Sequence, residues 1–124
     1  MKYFPDEVLQ KINQVLTNAA NDGRRILYEF EVYQIIALIG LEIPKFLFVK
    51  EPVEINEAIL KSFGQNVVVK IVSPQIAHKQ ALGGVKLVKN NDPLFVQFVL
   101  TRMKEEVLSH FVPDQLPEIK GFLI

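Results

Sequence analysis

Between Val67 and Lys89 the chain gathers the residue types that could hold an anion or carry a phosphoryl group. Val67-Val-Val-Lys-Ile-Val72 is a continuous apolar run interrupted by one lysine, Lys70. A lysine inside such a run is costly unless its ammonium reaches water, a partner or an anion, and Lys70 shares its pleat face with Val68 and Val72. Either it snorkels from an edge, or that face meets a ligand on which Lys70 acts as a flexible point charge. The stretch from Ser73 to Gly84 adds His78, Lys79 and the pair Gly83-Gly84. Paired glycines admit positive φ and let backbone N–H groups approach an anion, although a glycine pair before a strand also makes an ordinary turn. His78 reads as a surface loop histidine, or as a general acid/base or phosphoryl acceptor, because imidazole titrates near neutrality and is nucleophilic when neutral. Metal ligation has the least support, since no ligand-type spacing links it to His110. Lys70, His78, Lys79, Gly83, Gly84 and Lys86 together form a positive, glycine-containing patch that favours a phosphate or nucleotide over a bare loop. Neither a P-loop nor a Rossmann Gly-x-Gly-x-x-Gly pattern is present to explain it.

The elements that must position this patch follow from periodicity and punctuation. Asp6 to Asn21 carries Val8, Leu9, Ile12, Val15, Leu16, Ala19 and Ala20 at helical spacing, with Pro5 before it and Gly23 after. A second helix, apolar around most of its circumference and expected to be buried, spans about Tyr28 to Ile39 and stops at Gly40. Leu41 to Val49 has the content of a strand, with Pro44 near its start. Ile55, Ala58, Ile59 and Phe63 suggest a short helix closed by Gly64. The lysine-bearing run is a buried central strand, stopped by Pro74, and Val85 to Val88 is another strand. Asp92 and Pro93 form an N-cap and first turn, and Leu94, Phe95, Phe98, Val99, Met103 and Val107 are the expected buried face of a long helix ending near His110. Pro113 and Pro117 punctuate a loop before Gly121-Phe-Leu-Ile124, which reads as the start of a strand. The economical fold is α/β (α+β), with helices packed on a small mixed sheet.

Composition bounds the class. With 124 residues, 14 Lys+Arg against 14 Asp+Glu and 49% hydrophobic residues, the chain is long enough for one domain with a real core and too apolar for disorder. Zero net charge argues against a general nucleic-acid binder. The absence of cysteine removes disulfide scaffolds, thiolate metal sites and cysteine nucleophiles. The opening Met-Lys-Tyr-Phe-Pro-Asp lacks the apolar stretch of a signal peptide, and Val32 to Leu41 is half the ~20 residues that span a bilayer, so a soluble protein with no membrane partner is expected.

The segment from Val68 to Leu87, in which a strand lysine leads through Ser73-Pro74 and His78-Lys79 to Gly83-Gly-Val-Lys-Leu87, closely resembles the signature of the ATP-grasp domain of ADP-forming acyl-CoA synthetases of the acetate-CoA ligase type, beta-subunit kind. Glu29 to Lys45 looks like that family's opening helix and its Tyr-Gly-Ile-Pro segment, and Ile55 to Gly64 like the helix before the lysine strand. The resemblance implies a cytoplasmic enzyme interconverting acyl-CoA, ADP and phosphate with acid, CoA and ATP through phosphohistidine. It places His78 at the phosphohistidine that faces the nucleotide. Lys70 falls at the lysine on ATP phosphates and Gly83-Gly84 at the loop closing over them, with Ser73, Lys79 and Lys86 beside these as nucleotide-binding residues. It further implies a CoA-binding alpha subunit or domain as partner. The implied division is a helical extension over 1–26, a first ATP-grasp subdomain over 27–120, and 121–124 as a strand leading to an absent second subdomain that would supply Mg²⁺ ligands. The chain alone would then bind nucleotide weakly and not turn over, and the exposed edge of Gly121 to Ile124 could pair with another copy. Where the family has acidic residues, this chain has Gln75 and Gln80-Ala81. That departure favours an alternative: a non-catalytic nucleotide- or acyl-CoA-sensing module. A structural domain that lost its ligand is the third reading.

Overall fold

The capping and periodicity signals become helices and strands over residues 5–124, which a computed structural model describes; the opening Met-Lys-Tyr-Phe lies outside them. The chain divides into two units, one up to Lys45 and one from Phe46 to Ile124.

The first unit is a helical pair, α1 (Asp6–Asn21) and α2 (Glu29–Leu38). Asp6 and Glu7 in the first turn of α1 complement its dipole. At its end the Gly23 N–H donates to Ala20 O and the Arg24 N–H to Ala19 O, the paired bonds of a Schellman stop. Arg24 then turns into the interhelical link. Its guanidinium lies 3.7 Å from the Tyr28 ring centroid and grips both Glu31 carboxylate oxygens at 2.5 and 2.9 Å. The Tyr28 N–H also donates to Glu31 Oε1, so the first turn of α2 is closed by the same carboxylate. Glu31 is the buried residue of α2, whose apolar side chains stay half-buried or exposed; the expectation of a buried helix fails because two helices cover only their facing stripes.

The second unit is a four-stranded sheet, β1 (Phe48–Val49), β2 (Asn66–Val72), β3 (Val85–Lys89) and β4 (Gly121–Leu123), in the order β1-β4-β2-β3. Every pairing is antiparallel, which corrects the mixed sheet expected from the sequence. The physical reason is interleaving. β1 and β2, joined through the short α3 (Glu57–Leu60), run the same way with β4 between them, and β3 and β4, joined through α4 (Pro93–Leu108), run the other way with β2 between them.

Two boundaries differ from the sequence reading. Of the strand expected over 41–49, Phe48–Val49 is strand, with a reciprocal bond pair between Leu47 and Ile124. The short helix begins at Asn56, whose Oδ1 accepts from the Ile59 N–H at 2.9 Å, and gives only four helical residues.

α4 starts as its sequence signals predict, Asp92 Oδ1 accepting from the Leu94 N–H at 3.0 Å. Its buried row is Val96, Leu100, Met103 and Val107, packed with Val67, Val69, Ile71 and Phe122; burial of each such side chain is worth roughly 1.5–3 kcal/mol. Leu94, Phe95 and Phe98, expected in that row, are instead exposed, since a helix presents only one stripe to a sheet and 96/100/103/107 takes it.

The expected open edge at Gly121–Ile124 is also corrected. β4 is a central strand bonded to β1 on one side and β2 on the other, so it has no edge for a second copy. A Cβ at Gly121 would overlap the Val49 carbonyl oxygen and come within 2.8 Å of Phe48 Cζ, at a φ of +155°. Gly121→Ala is therefore expected to destabilise the protein by about 2–4 kcal/mol, combining backbone strain with overpacking, as read from the denaturant midpoint.

In the first unit, burial pushes the Glu31 carboxyl up, but the Arg24 hydrogen bonds and the Tyr28 N–H outweigh it and leave the group below the ordinary glutamate range. A carboxyl depressed in the folded state contributes stability that is whole above its unfolded value and is lost as pH falls through the folded one. Denaturation followed from pH 6 downward, over about pH 5 to 2, should show that acid limb flattened in Glu31→Gln. Glu31→Ala, which leaves the partly buried Arg24 with only Asp22 as an ion-pair partner, should cost about 2–3 kcal/mol near neutrality.

Candidate functional site

The site residues lie on β2, on β3 and in the connection between them. Alternation along β2 sends Val67, Val69 and Ile71 into the core and Lys70 to the opposite face, where it is flanked laterally by Val85 of β3 and Leu123 of β4. Lys86 pairs with Val69, so it points the other way, towards α4. There its ammonium meets Glu106 Oε2 at 3.0 Å. The sheet therefore separates the two strand lysines that the sequence had grouped. Lys70 shares its face with Val68 and Leu87, both exposed and opposite each other in the ladder.

The connection from Ser73 to Gly84 is tied down at several points. Ser73 is buried, and its Oγ accepts from the Gln75 N–H at 3.2 Å across the turn at Pro74. The Gln75 side chain reaches across the chain, its Oε1 accepting from the Glu118 N–H at 2.5 Å. Ile76 is buried as an anchor. His78 follows on the surface, and among the described residues none hydrogen-bonds or ion-pairs with it. Lys79, half-buried, begins a 3-10 turn over Gln80–Leu82.

The glycine pair is engaged within this turn. The Gly83 N–H donates to Gln80 O at 3.2 Å and the Gly84 N–H to Lys79 O at 2.7 Å, while Gly84 O accepts from the Ile71 N–H at 2.8 Å. Neither N–H is turned towards an anion in this conformation. What the glycines supply is close approach. Gly83 has φ +85°, and a Cβ there would sit 2.5 Å from Glu106 Oε2; a Cβ on Gly84 would press on Ile71 Cγ2 at 2.8 Å and Lys79 O at 3.0 Å.

Glu106 is the residue that sequence reasoning missed. It abuts Gly83 and pairs with Lys86, so it holds the hairpin base from α4. The signal was present: Glu106 follows Met103 by three residues and adjoins Val107, which puts it beside the buried row, whereas Glu105 points to solvent and pairs with Arg102.

A strand lysine and an exposed histidine stand at the loop end of an antiparallel sheet, with a glycine turn returning to the next strand. Among the described residues no group of three or more His, Asp or Glu is placed to hold a metal ion. The ATP-grasp domain family matches residues 18–123, and the chain belongs to it. The chain is 34% identical over 114 residues, 92% of its length, to the ADP-forming 4-hydroxybutyrate–CoA ligase of Nitrosopumilus maritimus, and 37% identical over 84 residues, 66% of its length, to subunit beta of the ADP-forming acetate–CoA ligase I of Pyrococcus furiosus. It spans 16% and 34% of those two relatives. Among solved structures it superposes with a TM-score of 0.72 and 33% identity on the dinucleotide-forming acetyl-coenzyme A synthetase 1 of Ca. Korarchaeum cryptofilum, solved with coenzyme A and Ca-AMPCP; the match covers 89% of this chain and 46% of that one. The family and the fold implied by the lysine strand and the His-Lys to Gly-Gly segment are therefore established. No helix among the described residues is long and apolar enough to cross a membrane.

The Gly83–Glu106 contact gives a direct test of how the hairpin base is built. Gly83→Ala should lose about 1–2 kcal/mol through its positive φ, with a further loss from displacing the carboxylate. In the double variant Gly83→Ala/Glu106→Ala only the second part should be recovered, a coupling that denaturation of the four species measures.

Proposed function

We propose that this chain forms the nucleotide-binding part of an ADP-forming acyl-CoA synthetase, in which His78 accepts and passes on a phosphoryl group. The observation that carries the reading is the placement of an exposed His78 in the connection that starts three residues after Lys70, on a chain whose relatives are CoA ligases. Lys70 would hold nucleotide phosphates on the sheet face away from α4 as a point charge. Ser73 and Lys79 lie on the same connection and would line the phosphate path. Gly83 and Gly84 let the hairpin turn and its base pack tightly, and Lys86, engaged by Glu106, would bind phosphate only after exchanging that carboxylate.

In the step assigned to His78, a neutral imidazole nitrogen attacks the terminal phosphorus of ATP, the bond to the bridging oxygen breaks, and ADP leaves. In reverse, a β-phosphate oxygen of ADP attacks the phosphohistidine, the P–N bond breaks, and the imidazole electron pair returns. The complete reaction would join acyl-CoA, ADP and phosphate to acid, CoA and ATP, with CoA bound by an alpha-type subunit or domain in the cytoplasm. Among the described residues no group of three or more His, Asp or Glu is placed to hold Mg²⁺.

One observation favours the sensing alternative. His78 has no orienting carboxylate among the described residues, and the Gln75 amide that stands where the family has an acid is occupied with the Glu118 N–H. The experiment that separates the two readings has two arms. ADP should shift the amide resonances of Ser73 to Gly84, and Lys70→Met should weaken that binding about tenfold. Incubating the native protein with γ-labelled ATP should leave acid-labile phosphate that disappears in His78→Asn. Binding without labelling would select the sensing module, and no amide shift would leave only a structural domain.

A further inference from the structure

β3 is the last strand of the sheet, bonded to β2 on one side only. The Ile71 N–H donates to Gly84 O and the Asn90 N–H to Gln65 O, each at 2.8 Å. With the observed register, the hydrogen-bonded pairs of this ladder fall at residues 84, 86, 88 and 90 of the β3 side. Val85, Leu87 and Lys89 therefore turn their N–H and C=O groups outward. Beside this edge runs a groove of about 700 Å³ between β3 and the start of α4, with Phe95 and Val99 on its apolar wall. Leu94 and Phe98, also exposed, continue the apolar surface along α4.

An open strand edge beside an apolar helix groove is the geometry in which an extended peptide adds as a further strand, with main-chain bonds for affinity and alternate side chains in the groove for specificity. Charge selects the peptide. Lys89 is exposed and has no ion pair among the described residues, and Lys86 keeps 38% of its side chain open beside Glu106. Asp92, the acid that lines the groove, is committed to capping α4. A second copy of β3 would bring two more lysines into one short ladder, where like charges oppose pairing.

We propose that the outer edge of β3 and the β3–α4 groove receive an extended segment of a partner protein, alternating apolar and acidic residues, as a fifth strand. The groove is separate from the residues of the phosphoryl-transfer reading: it lies against α4, whereas Lys70 is on the sheet face away from α4, a face it shares with Lys89, and His78 is in the preceding connection.

The probe is a synthetic heptapeptide alternating Val and Glu, compared with one alternating Val and Lys, added to the labelled protein in amide hydrogen-exchange and shift titrations. The Val/Glu peptide should slow exchange at Val85, Leu87 and Lys89 and leave Lys86 and Val88, already bonded to β2, unchanged. Lys89→Glu should weaken it about fivefold. Leu87→Pro, which removes an outward N–H without breaking a bond to β2, should abolish it; if that variant distorts β3, Lys89→Glu still decides. Equal binding of the Val/Lys peptide, no protection at millimolar peptide, or protection that grows with protein concentration alone, which marks a second copy as the occupant, would each overturn the proposal.

Discussion

Hydrogen bonding of Gly121–Leu123 on both of its edges is the constraint on which the second unit rests. β1 is two residues long and is not paired with β2; β4, lying between them, makes one sheet of the two. The Leu47 N–H and C=O bracket Ile124, which extends the ladder by one pair, and Phe122 carries the strand into the core at 1% exposure. The fit is tight because Gly121 lies against the Val49 carbonyl with no room for a side chain. Once β4 is seated, β2 is sandwiched, and Lys70 is held between Leu123 and Val85 with its connection leaving from the same end. The candidate site inherits its geometry from a strand that contributes no polar side chain to it.

The connection itself is ordered by hydrogen bonds within the chain, made by groups that a phosphate loop would keep for a ligand. Its glycine N–H groups close a 3-10 turn, its serine hydroxyl closes a second turn, and its glutamine reaches Glu118 just ahead of β4. Rigidity at the two ends leaves His78 on the surface between them. Glu106 adds a charge contact from α4 at the hairpin base, with Lys86 and Glu106 both partly open to water, so its worth is geometric more than energetic.

Much of the local structure was legible because local signals are strong where they coincide. Asp92 followed by Pro93 marked the start of α4, the run at 67–72 marked β2, and Gly23 and Gly40 marked the stops of the two N-terminal helices. Legibility failed where a partner decides. Leu41 to Val49 has strand composition throughout, yet only Phe48 and Val49 form strand, where β4 pairs with them. Leu94, Phe95 and Phe98 are as apolar as Val96 and Leu100, yet the sheet covers only the second set. A helical period specifies a stripe's width but not which of two overlapping stripes meets the core. The family, by contrast, was readable from the succession of Lys70, Ser73-Pro74, His78-Lys79 and Gly83-Gly84, since those spacings lie within one hairpin.

The sequence by itself determined the chemical inventory and its order: a lysine inside an apolar strand, a histidine in the connection, a glycine turn, and the caps of the helices around them. Each of these depends on residues a few positions apart, within reach of turn chemistry and side-chain alternation. Only the tertiary structure decided that Lys70 and Lys86 stand on opposite faces, that Glu106 takes up Lys86, and that the C-terminal strand lies inside the sheet with β3 at its edge. The reason is register. A strand's faces alternate with every residue, so one lysine meets α4 and the other turns away only once β2 is paired with β3, and such pairing is chosen by long-range packing that no local pattern encodes.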